Sequence, residues 1–347
     1  MARPHAASGT RHLALATEDA RAFAALRGSL IAEAVRRRHA VTCFAPSFDA
    51  DTRVALERLG ADCRPIAVAA QGYNPFAGYR LKSDLTQALR TLAPTTLAIT
   101  DIAVLPLFAA AAERARVPHL VAMLEDFPTD ADKTLRKAFD VATSIVLSTP
   151  DAERRAVASG WLLAATPIEI IPSAGLDPTA VPVQPLPPSH DGFAFLLVTA
   201  ATDNAAHTTF TAAAEHMRQH FPTARFLIST DTTNAAIARA HIVVHTGTTD
   251  GLVPGLLTGL ATGRPLITTN VAGARDTVDE RVNGCRVPPG DTAALAEAMA
   301  SFLRHPDQLP AMARASRSKA ERRYDARTID AATLAALGLG ESFAAAA

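Results

Sequence analysis

Short apolar runs alternate with longer amphipathic segments over the first half of the chain. The runs have the length and side-chain types of strands and lie at residues 12–17, 40–46, 63–68, 96–101, 119–124, 143–149 and 168–172. Between the first two, apolar side chains recur at helical spacing from Phe23 to Val35. Because strands and helices take turns, this half is predicted to form a parallel, doubly wound sheet.

A second alternation follows a proline-rich segment. Residues 181–192 contain Pro182, Pro185, Pro187 and Pro188, which predict an extended linker rather than a helix or central strand. Five further strands are predicted at residues 193–199, 225–230, 241–246, 265–270 and 284–288. The expected organisation is an N-terminal domain over residues 1–180, a shortened C-terminal domain over 193–325, and a C-terminal helix and tail over 326–347.

Composition excludes several classes of partner. Lys plus Arg and Asp plus Glu number 34 each, so no net field favours nucleic acid or an anionic membrane. The three cysteines are scattered and form no CxxC pair, which argues against a disulfide framework or a cysteine-rich zinc site. No stretch resembles a signal core or a membrane-spanning segment, so we expect a cytoplasmic protein with at most a peripheral contact at the inner face of the membrane.

The second half contains a long ordered motif. Its central part reads HIVVHTGTTDGLVPGLLTGLATGRPLITTNVAGARDTVDERVNGCRVPPGD, and the first half contains GYNP and IIPSAGLD. This arrangement resembles the family 4 glycosyltransferases, in the branch that builds bacterial exopolysaccharides and lipid-linked glycans. The resemblance covers nearly the whole chain.

The resemblance implies a fold and an activity. The fold would be α/β of the GT-B type, with two Rossmann-like domains facing a central cleft. The activity would be the transfer of a hexose from a nucleotide sugar to a glycan or lipid-linked glycan acceptor. The nucleotide sugar would be the donor substrate, and no cofactor or metal is expected.

The same resemblance indicates candidate residues on the donor side. Asp250 occupies the place of a family Glu near the transferred sugar and is the candidate catalytic residue, although an Asp there could equally cap the following helix. Gly251, Leu252, Thr258 and Thr199 are the candidate donor-binding residues. Thr258 stands where the family has a Glu that grips the ribose.

Two family cations that would hold the diphosphate are missing. They correspond to Ala200 and Ala205. A charge-assisted hydrogen bond contributes about 1.5 to 3 kcal/mol, so the two losses together imply about two to four decades in affinity or rate. An alternative is therefore a catalytically impaired pseudo-glycosyltransferase that acts as a binding or regulatory subunit, with an active glycosyltransferase among its expected partners.

On the acceptor side, Gly28 and Glu125 are the candidates. Gly28 is expected where the first loop enters its helix and could let a ligand approach the backbone, or could serve helix packing alone. Glu125 stands where many family members have a His that faces the sugar.

Other readings remain open. A sugar-phosphate epimerase on the same architecture would need a similar nucleotide-sugar cleft. His216 with His220 and His241 with His245 have spacings that a metal could use, but neither pair has an evident third ligand, and packing or surface roles are favoured.

Overall fold

The first sheet contains all seven strands expected from the first half of the sequence. The computed structural model describes residues 11–66, 75–125, 127–128, 130–162, 166–188, 192–199, 203–248 and 254–340, with only the backbone of residues 22 and 75–79. The strands are parallel and lie in the order β3-β2-β1-β4-β5-β6-β7. They are β1 His12–Ala16, β2 Ala40–Ala45, β3 Ala61–Pro65, β4 Thr96–Ile99, β5 His119–Leu124, β6 Ser144–Leu147 and β7 Ile168–Ile170.

Six helices connect these strands and cover the sheet. They are α1 Ala20–Arg36, α2 Ala50–Arg58, α3 Pro75–Leu92, α4 Leu105–Ala115, α5 Lys133–Val141 and α6 Pro150–Ser159. Side chains from α3, α4, α5 and α6 bury one face of the sheet in a continuous core. Within that core, Phe127 packs against Phe139 and Trp161, with ring centroids 5.1 and 5.7 Å apart.

The second sheet has five parallel strands. They are β8 Ala194–Val198, β9 Arg225–Ser229, β10 Ile242–His245, β11 Leu266–Thr269 and β12 Gly284–Val287, in the order β12-β11-β10-β8-β9. The α-helices that lie between these strands or after the last one are α7 Asn204–His220, α8 Asn234–Ala238, α9 Pro254–Ala261, α10 Thr292–Arg304, α11 Leu309–Arg323 and α12 Ala326–Ala336. Asp291 caps α10, because its carboxylate accepts the Ala294 N–H at 2.9 Å.

The prediction of five strands is confirmed for the described part of the second half. Strand β9 is last in the strand order and forms an edge of the sheet, where its Ile228 is 45% exposed. Only α8, which spans Asn234–Ala238, separates β9 from β10. The chain has no room there for the further strand and helix that the resembled family would place.

Internal contacts divide the chain into two units. The first unit comprises residues 1–173 and 327–347, and the second comprises residues 174–326. Residues of the expected linker thus belong with the second unit, and the C-terminal helix α12 belongs with the first. Within the described ranges, no helix combines the length and the apolar character needed to cross a membrane.

Two arginines hold the proline-rich segment onto the second unit. The guanidinium of Arg317, on α11, donates to the backbone oxygens of Pro178 and Val181 at 2.8 and 2.6 Å. That of Arg264 donates to Gln184 and Pro185 oxygens at 2.9 and 2.8 Å. The segment is extended, as its prolines require, and its carbonyl groups are fixed by a buried cation, Arg264, and a partly buried one, Arg317.

Candidate functional site

The strand order of the second unit defines one place where a ligand is expected. The chain passes from β8 to β9 on one side and then to β10 on the other side of β8. In open parallel sheets, ligands bind outside the carboxyl ends of the strands where the strand order reverses. We call this place the switch point, and it comprises the C-terminal ends of β8 and β10 with Thr199, Asp203, His245 and Gly247.

Two helices begin at the switch point. Helix α7 begins at Asn204, and the Thr246 hydroxyl, just after β10, donates to the Ala206 oxygen in its first turn at 2.9 Å. Helix α9 begins at Pro254. A Cβ on Gly255 would lie 2.9 Å from the Val198 side chain, so only glycine allows α9 to lie this close to the end of β8.

Asp203 occupies the N-terminus of α7. Its Oδ1 accepts the Ala206 N–H at 3.0 Å, and its backbone oxygen accepts the His207 N–H at 3.2 Å. Its Oδ2 lies 3.5 Å from the position that a Cβ on Gly247 would take. The carboxylate therefore stands between the start of α7 and the loop that follows β10.

His245 ends the central strand β10 and is 6% exposed. Its Nδ1 lies 3.4 Å from the hydroxyl oxygens of both Thr268 and Thr269. Its Nε2 would be 2.6 Å from a Cβ on Gly247, so this imidazole lies directly against the loop backbone. Burial lowers the pKa of His245 to about 4 despite the opposing charge of Asp203, and the ring is neutral at pH 7.

The predicted donor-binding residues are only partly covered by the structure. Asp250, Gly251 and Leu252 lie outside the described residues. Thr199 lies at the end of β8, where its N–H donates to the Ser229 oxygen at 3.3 Å. Thr258 is half-buried on α9, and its hydroxyl donates to the Pro254 oxygen of its own helix at 3.3 Å.

Of the two positions where the resembled family has cations, the structure describes only one. Ala200 lies outside the described residues, whereas Ala205 is exposed on the first turn of α7. A longer side chain at Ala205 would meet no steric obstacle from the core.

A second concavity lies further along the same edge. An open groove of about 420 Å³ is lined by residues at the ends of β11 and β12, including Asn270, Pro288 and Pro289. Arg286 lies at its border and is paired with Glu280, with 3.3 Å between Nε and Oε2. The V-P-P part of the sequence motif thus lines a groove next to the switch point strands.

On the first unit, Glu125 and Arg27 approach each other. Glu125 directly follows β5, and its Oε1 lies 4.0 Å from the Arg27 guanidinium. Arg27 is 7% exposed, and burial lowers the pKa of its guanidinium even though Glu125 and Asp330 oppose this effect. Among the described residues, the buried Oε2 of Glu125 has no hydrogen-bond partner.

The expectation that Gly28 lies where the first loop enters its helix is wrong. It lies inside α1, which already begins at Ala20, and not where the loop enters the helix. A Cβ on Gly28 would lie 3.6 Å from Leu59 Cδ1, an ordinary van der Waals contact. The helix start is set instead by Asp19, whose side chain accepts the Arg21 N–H.

The histidine pairs have packing and surface environments. His241 stacks on Phe193 with centroids 4.4 Å apart, and its Nδ1 accepts the Ala194 N–H at 3.1 Å. His220 contacts the His216 oxygen through Nδ1 at 3.2 Å on the exposed face of α7. Among the described residues, no group of three potential metal ligands comes together.

Sequence reasoning missed the role of Asp203 in the switch point. An Asp directly before a helix, just after a predicted strand, is a helix-capping signal, and that signal was present in VTAATDNAA. From the sequence, His245 was identified only as a member of the His241–His245 pair. The distances among Asp203, His245 and Gly247 depend on how β8, α7 and β10 pack, which the local sequence does not report.

Comparisons with known proteins bear on the fold of the chain and on the sequence of its second half. Residues 188–305 match the family model described as glycosyl transferases group 1. HepE from Anabaena, solved with UDP, superposes with a TM-score of 0.73 at 15% identity, over 95% of this chain and 100% of that one. No curated protein matches the chain.

Two further solved structures have the same fold. A glycosyltransferase from Rickettsia africae has a TM-score of 0.74 at 11% identity, with 94% of this chain and 98% of that chain covered. The lipopolysaccharide outer core galactosyltransferase WaaB has a TM-score of 0.68 at 14% identity, with coverages of 94% and 99%.

The fold is that of the GT-B glycosyltransferases. Within that class, the segment 188–305 carries the sequence features of group 1, and the chain is similar to the family 4 enzymes, as its motifs indicated.

Proposed function

We propose that this protein is a glycosyltransferase of bacterial glycan or exopolysaccharide assembly, which transfers a hexose from a nucleotide sugar to a glycan or lipid-linked glycan. The observation that carries the proposal is the switch point, where the starts of α7 and α9 meet the ends of β8 and β10 inside the segment that matches group 1 glycosyltransferases. HepE, of the same fold, has been solved with UDP-glucose, which supports a nucleotide sugar as the donor.

The roles of the residues follow from this placement. Helix N-termini attract phosphate, so α7 and α9 would hold the diphosphate without a metal ion. Thr199 and Thr258 offer hydroxyl groups at the same edge, and Asp250 would lie near the transferred sugar. Glu125 of the first unit, whose side chain is partly exposed beside Arg27, would lie on the acceptor side. The reaction would take place in the cytoplasm, at most in peripheral contact with the membrane.

A second candidate is a catalytically impaired pseudo-glycosyltransferase. The specific observation that favours it is the charge at the switch point, where the first turn of α7 has Ala205 and is capped by Asp203. In addition, the Thr258 hydroxyl is turned onto its own helix. Such a protein would bind a glycan, a nucleotide or an active glycosyltransferase and act as a regulatory or assembly subunit.

Calorimetric titration with UDP-, GDP- and dTDP-sugars separates the two candidates. Micromolar binding of one donor, together with release of the nucleoside diphosphate in the presence of a glycan acceptor, is the result expected for the enzyme. Millimolar or no binding of every donor would exclude the enzyme and favour the impaired form.

The double variant Ala205→Lys/Thr258→Glu, which introduces the charges of the resembled family, provides a second test by the same titration. Lys at the start of α7 returns a cation to the diphosphate position, and Glu returns a carboxylate to the ribose position. If the site is an impaired donor site, this variant should bind a nucleotide sugar at least about tenfold more tightly than the natural chain.

A further inference from the structure

We propose that Asp203 limits the affinity of the switch point for nucleoside diphosphates and thereby determines the charge of the ligand accepted there. The inference rests on the proposed function, because that function places a nucleotide at this edge. It assigns to Asp203 the part of a specificity-determining residue that opposes the diphosphate, whereas the helix N-termini would attract it.

The first part of the argument concerns hydrogen bonds. A phosphate at a helix N-terminus is held by unpaired backbone N–H groups and by the helix dipole. In α7, one of those N–H groups, that of Ala206, already donates to Asp203 Oδ1 at 3.0 Å. A diphosphate at this terminus must therefore displace the carboxylate or bind directly beside it.

The second part concerns the direction of the carboxylate. Asp203 is half-buried, and its Oδ2 lies 3.5 Å from the Cβ position of Gly247, beside the buried His245 ring. The negative charge therefore faces the loop after β10, inside the switch point. Within the described residues, Asp203 forms no ion pair that would neutralise it.

The third part concerns compensation by neighbouring groups. Ala205, two residues along α7, is exposed and uncharged, and the imidazole of His245 is neutral at pH 7 because burial lowers its pKa to about 4. In the described part of the chain, the switch point thus presents one carboxylate and no compensating cation. Two negative groups a few ångströms apart repel each other, while a neutral sugar, whose hydroxyl groups can donate to a carboxylate, is not penalised.

The test is a double-mutant cycle with UDP as the probe. The four proteins are the natural chain, Asp203→Asn, Ala205→Lys and the double variant, titrated by calorimetry at 0.1 M and at 1 M salt. Asn caps a helix about as well as Asp, so Asp203→Asn removes the charge and leaves the helix start in place. Uridine serves as the uncharged form of the same probe.

We expect Asp203→Asn to tighten UDP binding about fivefold or more at 0.1 M salt, in the natural chain and in the Ala205→Lys background. At 1 M salt the gain should fall below about twofold, because the screening length shortens from about 10 Å to about 3 Å. Uridine affinity should change less than about twofold, since uridine carries no phosphate.

Asp132→Asn is the matched control. Asp132 caps α5 in the first unit in the same manner, with Oδ1 accepting the Leu135 N–H at 2.7 Å. The substitution removes the same charge and keeps a good cap, but it lies in the other unit. Its UDP affinity should equal that of the natural chain within about twofold.

The possible results separate this inference from the proposed function. If Ala205→Lys binds UDP and Asp203→Asn adds nothing, Asp203 does not determine ligand charge, and the proposed function stands. An equal gain for uridine would also overturn the inference, because the effect would be one of shape. If none of the four proteins binds UDP even at millimolar concentration, both the inference and the nucleotide-sugar function are overturned.

Discussion

At the scale of single residues, Gly28 shows how a glycine in a motif can be part of regular structure. It lies within α1, and a Cβ there would make an ordinary contact with Leu59, 3.6 Å away. Nothing in the backbone conformation requires glycine at this position, since positive φ values occur at other glycines such as Gly60 and Gly160. Neither the backbone conformation nor the described contacts of Gly28 therefore require a glycine within the fold.

We expect Gly28→Ala to raise the free energy of unfolding of the first unit by about 0.5 to 1 kcal/mol. Alanine restricts the unfolded chain and favours the helix, and the added methyl group has room. Urea denaturation of the variant measures the change. Ala25→Gly, on the exposed face of the same helix, calibrates it and should lower stability by about 1 kcal/mol.

The contrary outcome for Gly28 is a stable variant that no longer binds a glycan acceptor. That result would restore the acceptor-side role that the motif suggested, because only contact with a ligand would then explain the glycine.

At the scale of elements, Arg264 joins the proline-rich segment to the body of the second unit. Its side chain is fully buried. Its guanidinium donates to five backbone oxygens, those of Gln184 and Pro185 in the segment and those of Ala238, Thr262 and Gly263 at or just after the ends of helices. Burial lowers the pKa of Arg264 to about 10, which still leaves it charged at pH 7. Prolines lack the N–H that a sheet requires, so the carbonyl groups of this segment need donors from elsewhere. One charged guanidinium can donate to several of them.

We expect Arg264→Met to lower the free energy of unfolding of the second unit by about 3 kcal/mol or more. Methionine fills part of the volume but leaves buried carbonyl oxygens without a donor. Chemical denaturation measures the loss, and hydrogen exchange should quicken at the Gln184 amide, which donates to the Thr262 oxygen at 3.2 Å.

Arg322→Met is the control for Arg264→Met. Arg322 is exposed on α11 and donates only a 3.3 Å bond to the Ser318 oxygen, so its removal should cost less than about 0.5 kcal/mol. If both substitutions cost the same, the buried guanidinium is not what fixes the proline-rich segment.

At the scale of the whole molecule, the C-terminal helix completes the first unit. Helix α12 buries Leu334, and the turns after it bury Leu337 and Leu339, each 2% exposed or less. The Thr96 hydroxyl, at the start of β4, donates to the Leu337 oxygen at 2.9 Å. The first unit is therefore built from both ends of the described chain.

Removal of residues 327–347 should unfold much of the first unit and leave the second unit folded. Three buried leucines contribute about 5 to 9 kcal/mol, comparable with the whole stability of an ordinary domain. Hydrogen exchange of the truncated chain should show loss of protection in β1 and β4 and retained protection in β8 and β10.

A shorter cut that removes only residues 341–347 is the control for this truncation, and it should preserve the exchange pattern of β1 and β4. Retained protection of those strands in the longer truncation would show that α12 does not stabilise the first unit.

Much of the fold could be read from local sequence. Strand β10, for example, is a continuous apolar run, and α10 has an Asp cap followed by apolar residues at helical spacing. These signals depend on neighbouring residues, because a strand or helix repeats its pattern within a few positions. The glycines and prolines of the second half likewise carried enough information to indicate the GT-B fold.

The candidate site could be predicted only in part. The edge of the sheet and residues such as Thr199 and Thr258 follow from motif and strand order. The environment of His245 did not follow, because its burial depends on Gly247 and on the hydroxyl groups of Thr268 and Thr269 in the neighbouring strand. The pKa of a group depends on everything packed around it, and local sequence names only part of that surrounding.

The sequence by itself determined the two sheets and the five-stranded second half. Only the tertiary structure decided that Asp203 faces the loop after β10, that Arg264 fixes the proline-rich segment, and that α12 completes the first unit. The physical reason is the range of the interactions. Strand and helix periodicity acts between neighbours, whereas the charge at the switch point and the partners of a buried arginine arise from segments brought together by folding.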